Sequence, residues 1–293
     1  MRTQLKRLQQ TMENAIVRTA PQMNAREVSN VIWAVEKRYA QDPDSECPSR
    51  LVPVLAGRLP AVISVMEGQS VANVIWAAVK LATSGASQDL LILLPSLVDR
   101  AQEVASVMNA QDISNVIWAT GQLVADPIHS SASQRLRELL PDVVVRARDV
   151  LPVANPQSLA NSCWGLALCD YHDEGLLQAV ASKVVAEAAA WQPRGAELDL
   201  PSVIFAFARL KRTGHDDMLG VAAEKLVPML LRINDWGLCA LTWSYSELDF
   251  SNNFLSFRHS LEAEVARRGF SDQDVERSRQ GPETWRKHPG HSI

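Results

Sequence analysis

The tetrapeptide Asn-Val-Ile-Trp occurs three times in this chain, ending at Trp33, Trp76 and Trp118, and a degenerate copy, Asn-Ser-Cys-Trp, ends at Trp164. Phe205 and Trp243 take the tryptophan's place in two weaker copies, so the spacings are 43, 42, 46, 41 and 38 residues. Self-similarity at such a period is the mark of a repeat array, in which each repeat buries its apolar face only against its neighbours. The expectation is one elongated all-α domain, an α-solenoid of about six two-helix repeats of roughly 38–46 residues.

With the tryptophan counted as position zero, Asn24, Asn109, Asn155 and Asn234 fall at −9, and Glu27, Asp112 and Ser158 stand three residues after the first three of them. An Asn followed by an acceptor in the first turn reads as a helix N-cap. A first helix, A, is therefore expected from about −9 to Arg38, Ala82, Val124 and Cys169 in the first four repeats, with Asp42-Pro43, Gly85 and Asp126-Pro127 as stops. A second, apolar helix, B, follows in each repeat. Pro53, Pro95 and Pro141 each precede the next tryptophan by 23 residues, and Arg58, Arg100 and Arg146 precede it by 18. A proline at a fixed place in such a pattern starts or kinks the helix. No segment carries a strand signal or a glycine-rich phosphate loop. Residues 3–20 read as a helix B without its helix A; with Arg2, Lys6, Arg7 and Arg18 against Glu13 alone, they also resemble a mitochondrial presequence. The organisation expected is a trailing helix of a partial repeat over 1–23, the array over 24–265, and a polar tail over 266–293, poorly ordered from Ser271.

At 100° per residue, positions −5, −2, −1 and +2 share one face of helix A. They are Val28, Val31, Ile32 and Val35, then Val71, Val74, Ile75 and Ala78, then Ile113, Val116, Ile117 and Thr120. This is the expected core stripe. Positions −7, −3, 0 and +4 form a second, polar-aromatic stripe: Arg26, Asn30, Trp33 and Lys37; Gln69, Asn73, Trp76 and Lys80; Gln111, Asn115, Trp118 and Gln122. Gln157, Asn161 and Trp164 continue it in the fourth repeat, and Arg209 stands at +4 in the fifth. Residues that every repeat needs serve the scaffold, so Asn30, Trp33, Asn73, Trp76, Asn115, Trp118, Asn161 and Trp164 are expected to fill seams and to hydrogen-bond neighbouring backbone. Positions that stay polar while varying suit readout of a ligand. Candidate RNA contacts are therefore Arg26, Gln69, Gln111 and Gln157 at −7, and Lys37, Lys80, Gln122 and Arg209 at +4. Arg58, Arg100 and Arg146 either supply phosphate contacts or cover apolar surface with their stems.

The net charge of −4 runs against bulk phosphate binding, though a local basic stripe can coexist with it. No run of 18 apolar residues offers a membrane span. Cys47, Cys163, Cys169 and Cys239 form no Cys-x-x-Cys pair, which suits a reducing compartment and argues against zinc. Cys163 replaces an Ile and reads as core, while Cys169 and His172 can share a helix face but are too few for a metal site. The histidines, His129, His172, His215, His259, His288 and His291, have no spacing to a nucleophile or carboxylate pair. No catalytic residue, metal, cofactor or small-molecule substrate is expected.

The Ser/Ala-Asn-Val-Ile-Trp-Ala core at Ser29 to Ala34, Ala72 to Ala77 and Ser114 to Ala119 resembles the motif of octotricopeptide-type and heptatricopeptide-type repeats. It is similar also to FAST-kinase-like proteins and to the helical domain of an RNA-editing substrate-binding complex. The resemblance covers residues 1 to about 265 and is weak in repeats five and six, where Ser202 and Ala240 replace the Asn. It implies single-stranded RNA as partner, an organellar transcript or ribosomal RNA, and post-transcriptional work in mitochondria or plastids with protein partners in a ribonucleoprotein complex. The RAP domain that many such proteins carry is not recognisable here. From a different class, a protein–protein scaffold using the concave face is the alternative.

Overall fold

A computed structural model describes residues 2–281 apart from 127, 129 and 250; Pro127, His129 and the tail beyond Gly281 lie outside the described residues. Among the described residues there are fourteen α-helices, joined largely by 3-10 turns, and no strand. The chain forms two compact bodies, Met1–Arg146 and Ala147–Ile293.

The first body contains α1 (Arg2–Thr19), α2 (Ala25–Gln41), α3 (Cys47–Arg58), α4 (Gly68–Thr83), α5 (Leu94–Val104), α6 (Ala110–Ala125) and most of α7 (Ser130–Val150). The helices A are α2, α4 and α6. They lie side by side, while α3 packs on α2 and α5 on α4. Two of the starts are the expected caps. Asn24 accepts from Glu27 N at 3.0 Å while Glu27 Oε2 accepts from Asn24 N at 2.8 Å, and Asn109 with Asp112 repeats the arrangement. The helices A end at Gln41, Thr83 and Ala125, within three residues of expectation.

Three features of the repeat consensus have packing causes. The six residues Val28, Ile32, Val71, Ile75, Ile113 and Ile117 are all buried, as the stripe requires, each contributing about 1.5–3 kcal/mol of burial free energy. The small residue before the Asn, Ser29, Ala72 or Ser114, is buried as well, on helices that pack side by side. Gly68 opens α4 directly against the next repeat, where a Cβ would lie 2.9 Å from Met108 Cγ. Helix α1 packs on α3, with Arg50 ion-paired to Glu13 at 3.0 Å, so residues 2–19 occupy a helix B position. The prolines act differently from one another: Pro95 sits in the first turn of α5, whereas Pro53 and Pro141 lie inside α3 and α7.

The second body contains α8 (Pro156–Leu168), α9 (Glu174–Glu187), α10 (Pro193–Arg209), α11 (Asp216–Leu226), α12 (Asp235–Leu248), α13 (Leu255–Arg267) and α14 (Asp272–Ser278). Here α10 packs between α8 and α12, α11 packs on α9 and α10, and α13 on α12. Asn155 and Asn234 cap α8 and α12 as expected. Helix α10 starts three residues earlier than the register predicts and carries Pro201 internally. Helix α8 stops at Leu168, leaving Cys169 buried and His172 exposed beyond the helix end, so the two share no helix face. Cys163 is core, and burial pushes its thiol up to about 12.

The expectation of poor order from Ser271 is corrected by α14. Ser271 and Asp274 form a capping box, and α14 packs against α12. A run that reads as polar folds because it can both cap its own first turn and cover apolar surface.

Candidate nucleic-acid interface

In the first body the second stripe is a ladder of alternating rings and cations. Lys37 Nζ lies 5.5 Å from the Trp33 ring centroid and 4.3 Å from that of Trp76; Lys80 Nζ lies 5.9 Å from Trp76 and 4.9 Å from Trp118. The rings of Trp76 and Trp118 are 5.9 Å apart and tilted. Each lysine thus joins its own repeat to the next, because a side chain at +4 reaches one turn along and across the seam. Trp33, at the start of the ladder, is 42% exposed, while Trp76 and Trp118 are half-buried. Both lysines are half-buried too.

Beneath them is a residue that pattern alone does not reveal. Glu36 is buried on α2, its Oε2 3.7 Å from Lys37 Nζ and without a hydrogen-bond partner. Burial raises its pKa, and the nearby charges of Lys37 and Lys80 oppose that rise. Its equivalents in the next two repeats are Val79 and Gly121, so no periodicity announces it.

The remaining stripe positions separate into open and closed ones. Arg26, Asn30 and Gln69 are exposed and Asn73 is half-buried, and none of the four side chains has a hydrogen-bond partner among the described residues. Gln111 donates from Nε2 to Asn115 Oδ1 at 2.8 Å. Asn115 and Gln122 are buried, which withdraws Gln122 from the candidate contact surface. The backbone bond expected of the recurrent Asn is not made at Asn30, Asn73 or Asn161; its role in the third repeat is to receive the −7 amide.

The helix B arginines hold the hairpins closed. Arg58 Nε donates to Met23 O at 2.8 Å, Arg100 Nε to Met66 O at 2.8 Å and Arg146 Nε to Met108 O at 2.9 Å. Each carbonyl belongs to the turn just before the helix A of the same hairpin. The second body repeats the device with Lys183 to Pro152 O at 2.9 Å, Lys225 to Ala189 O at 2.8 Å and Arg268 to Ile233 O at 2.8 Å. An Arg or Lys in the C-terminal half of helix B, or just beyond it, satisfies a turn carbonyl that would otherwise lose its hydration. Of the two sequence alternatives for these residues, phosphate contact or stem packing, neither describes this role.

In the second body the aromatic part of the stripe is covered, while Gln157 and Arg209 stay exposed. Trp164 is 6% exposed and stacks on Phe205 at 5.0 Å, while Trp236 meets both edge-on at 5.2 and 5.5 Å. Trp243 is 5.6 Å from Phe205. Trp236, at −7 of the sixth repeat, donates from Nε1 to Ser278 O at 3.2 Å, and Arg209 donates from Nε to Ala167 O at 3.0 Å and from Nη1 to Arg279 O at 2.8 Å. Desolvation lowers the Arg209 pKa first among its causes. Gln157 is exposed and Asn161 half-buried, and neither side chain has a hydrogen-bond partner among the described residues.

Among the described residues no group of three or more His, Cys, Asp or Glu side chains is placed to hold a metal ion, and no helix is long and apolar enough to cross a membrane. No family model matches the chain, and no curated protein matches it.

Proposed function

We propose that the chain is a non-catalytic, single-stranded RNA-binding α-solenoid of about six two-helix repeats, acting in organellar RNA processing, stability, editing or translation. The observation that carries this reading is the open stretch of α2 and α4. There Arg26, Asn30, Gln69 and Asn73 are hydrogen-bonding groups without partners among the described residues, set beside exposed Trp33 and the Lys37 and Lys80 cations. A flexible single strand presents what such a surface takes: base faces for the ring, base edges for the amides and phosphates for the cations.

Binding of fluorescent oligoribonucleotides across a salt series tests it. Replacing Lys37 and Lys80 by Gln weakens binding to all sequences alike and flattens the salt slope by about two counterions. Replacing Arg26 and Gln69 by Ala changes sequence preference while leaving stability within about 0.5 kcal/mol, as exposed positions do. If the parent shows no salt-dependent RNA binding, the reading fails. One observation favours a protein ligand instead: exposed Val65 and Val107 recur at −11, one per repeat, as a row of aliphatic side chains in the turns before α4 and α6. A protein scaffold would lose its partner when both become Ser, with no effect on RNA.

A further inference from the structure

The C-terminal segment of the second body lies on the very stripe that is open in the first. Three of its contacts fall on stripe positions of three successive helices A. A Cβ built on Gly281 would lie 3.5 Å from Trp164 Cζ2, at position zero of α8. Arg279 O accepts from Arg209 Nη1, at +4 of α10, and Ser278 O accepts from Trp236 Nε1, at −7 of α12. Ser278 itself is fully buried. Residues 278–281 therefore cross α12, α10 and α8 in turn, as a strand of ligand crossing the helices A would.

The polarity of the contacts is also that of a ligand. The face supplies the donors, an indole N–H and a guanidinium, together with an aromatic surface. The segment supplies acceptors. A nucleic acid presents acceptors in the same way, as phosphate oxygens and base carbonyls. We propose that residues 271–281 are an internal, releasable occupant of a second RNA-binding face formed by α8, α10 and α12; this rests on reading the helix A stripe as the RNA-binding surface. Being on the same chain, the segment acts at a high effective concentration and excludes external ligands of moderate affinity without needing many contacts.

The full chain with Gly281→Val and the full chain with Ser278→Arg both release the segment. Gly281 has φ of 97°, which a β-branched residue resists, and Ser278 has no room for a guanidinium. Release is read as faster tryptic cleavage at Arg277 and Arg279. With a single-stranded oligouridylate as probe, the released chains bind at least about threefold tighter than the parent and protect a longer stretch of RNA. Two outcomes overturn the proposal: released chains that bind as the parent does, and a segment that neither substitution loosens, which would make it a fixed part of the fold. If neither the parent nor the released chains bind the oligouridylate, the RNA reading is what fails. A synthetic peptide of residues 271–281 then decides the remainder: its binding to the released chain, weakened by Trp236→Phe, upholds the segment as an occupant of the face, and its failure to bind overturns that as well.

Discussion

Trp76 stands between two cations, and its position explains why the motif ends in tryptophan rather than a smaller apolar residue. Its ring is shared by Lys37 from the repeat before and Lys80 from its own, and lies tilted against Trp118 at 5.9 Å. Tryptophan offers the largest and most electron-rich face for such contacts. Trp76→Ala is expected to cost about 3 kcal/mol, read as a shift of the urea midpoint at constant slope. An unchanged midpoint would assign the ring to ligand alone. A second residue-scale prediction concerns pH. Burial pushes the Asp199 carboxyl on α10 up to about 6. An acid whose folded pKa is raised is favoured protonated in the fold, so its cost is absent below the unfolded value near 4, grows as pH rises to about 6 and is constant above. Asp199→Asn should therefore stabilise the protein by about 1–2 kcal/mol at pH 7.5 and by less at pH 5. Equal gains at both pH values would contradict the assignment.

Two devices of different legibility shape the helical hairpins, the first of them at only some of the helix starts. The capping boxes at Asn24 and Asn109 are contacts three residues apart, and spacing alone announces them. The cation of helix B reaches a carbonyl 34 residues back at Arg100, and nothing in a window of sequence couples Arg100 to Met66. The fixed register of Arg58, Arg100 and Arg146 was visible, but its meaning depended on where the preceding turn lies. Because Lys183 and Lys225 serve the same purpose elsewhere, the essential property is a charged donor at the end of a long stem. Arg100→Ala should thus destabilise by about 2 kcal/mol, while Arg100→Lys recovers most of that loss, with thermal midpoints as the measurement. A lysine variant as unstable as the alanine variant would show that guanidinium geometry matters, as at a bidentate site.

Across the whole molecule, the division at residues 146 and 147 carries a thermodynamic expectation. Two compact bodies are not bound to unfold together. Trp33, Trp76 and Trp118 belong to the first; Trp164, Trp191, Trp236 and Trp243 belong to the second, and Trp285 lies outside the described residues. Denaturant curves of the chain with the first three replaced by Phe, and with the other five so replaced, Trp285 included, should give different fluorescence midpoints, whereas superposable curves would point to one cooperative unit. The repeat period, the helical class, the caps and the apolar stripe were all readable from the chain, since each follows from contacts within a turn or two of helix and recurs until the pattern is unmistakable. Which parts of the polar stripe stay open was not readable. That depends on Gln122 and Asn115 being buried by their neighbours, on Glu36 lying under two lysines, and on Arg209 meeting Arg279 across 70 residues of sequence. A helix fixes the direction of a side chain by its own periodicity, but whether that direction ends in solvent or in another segment is decided by packing between residues distant in the chain.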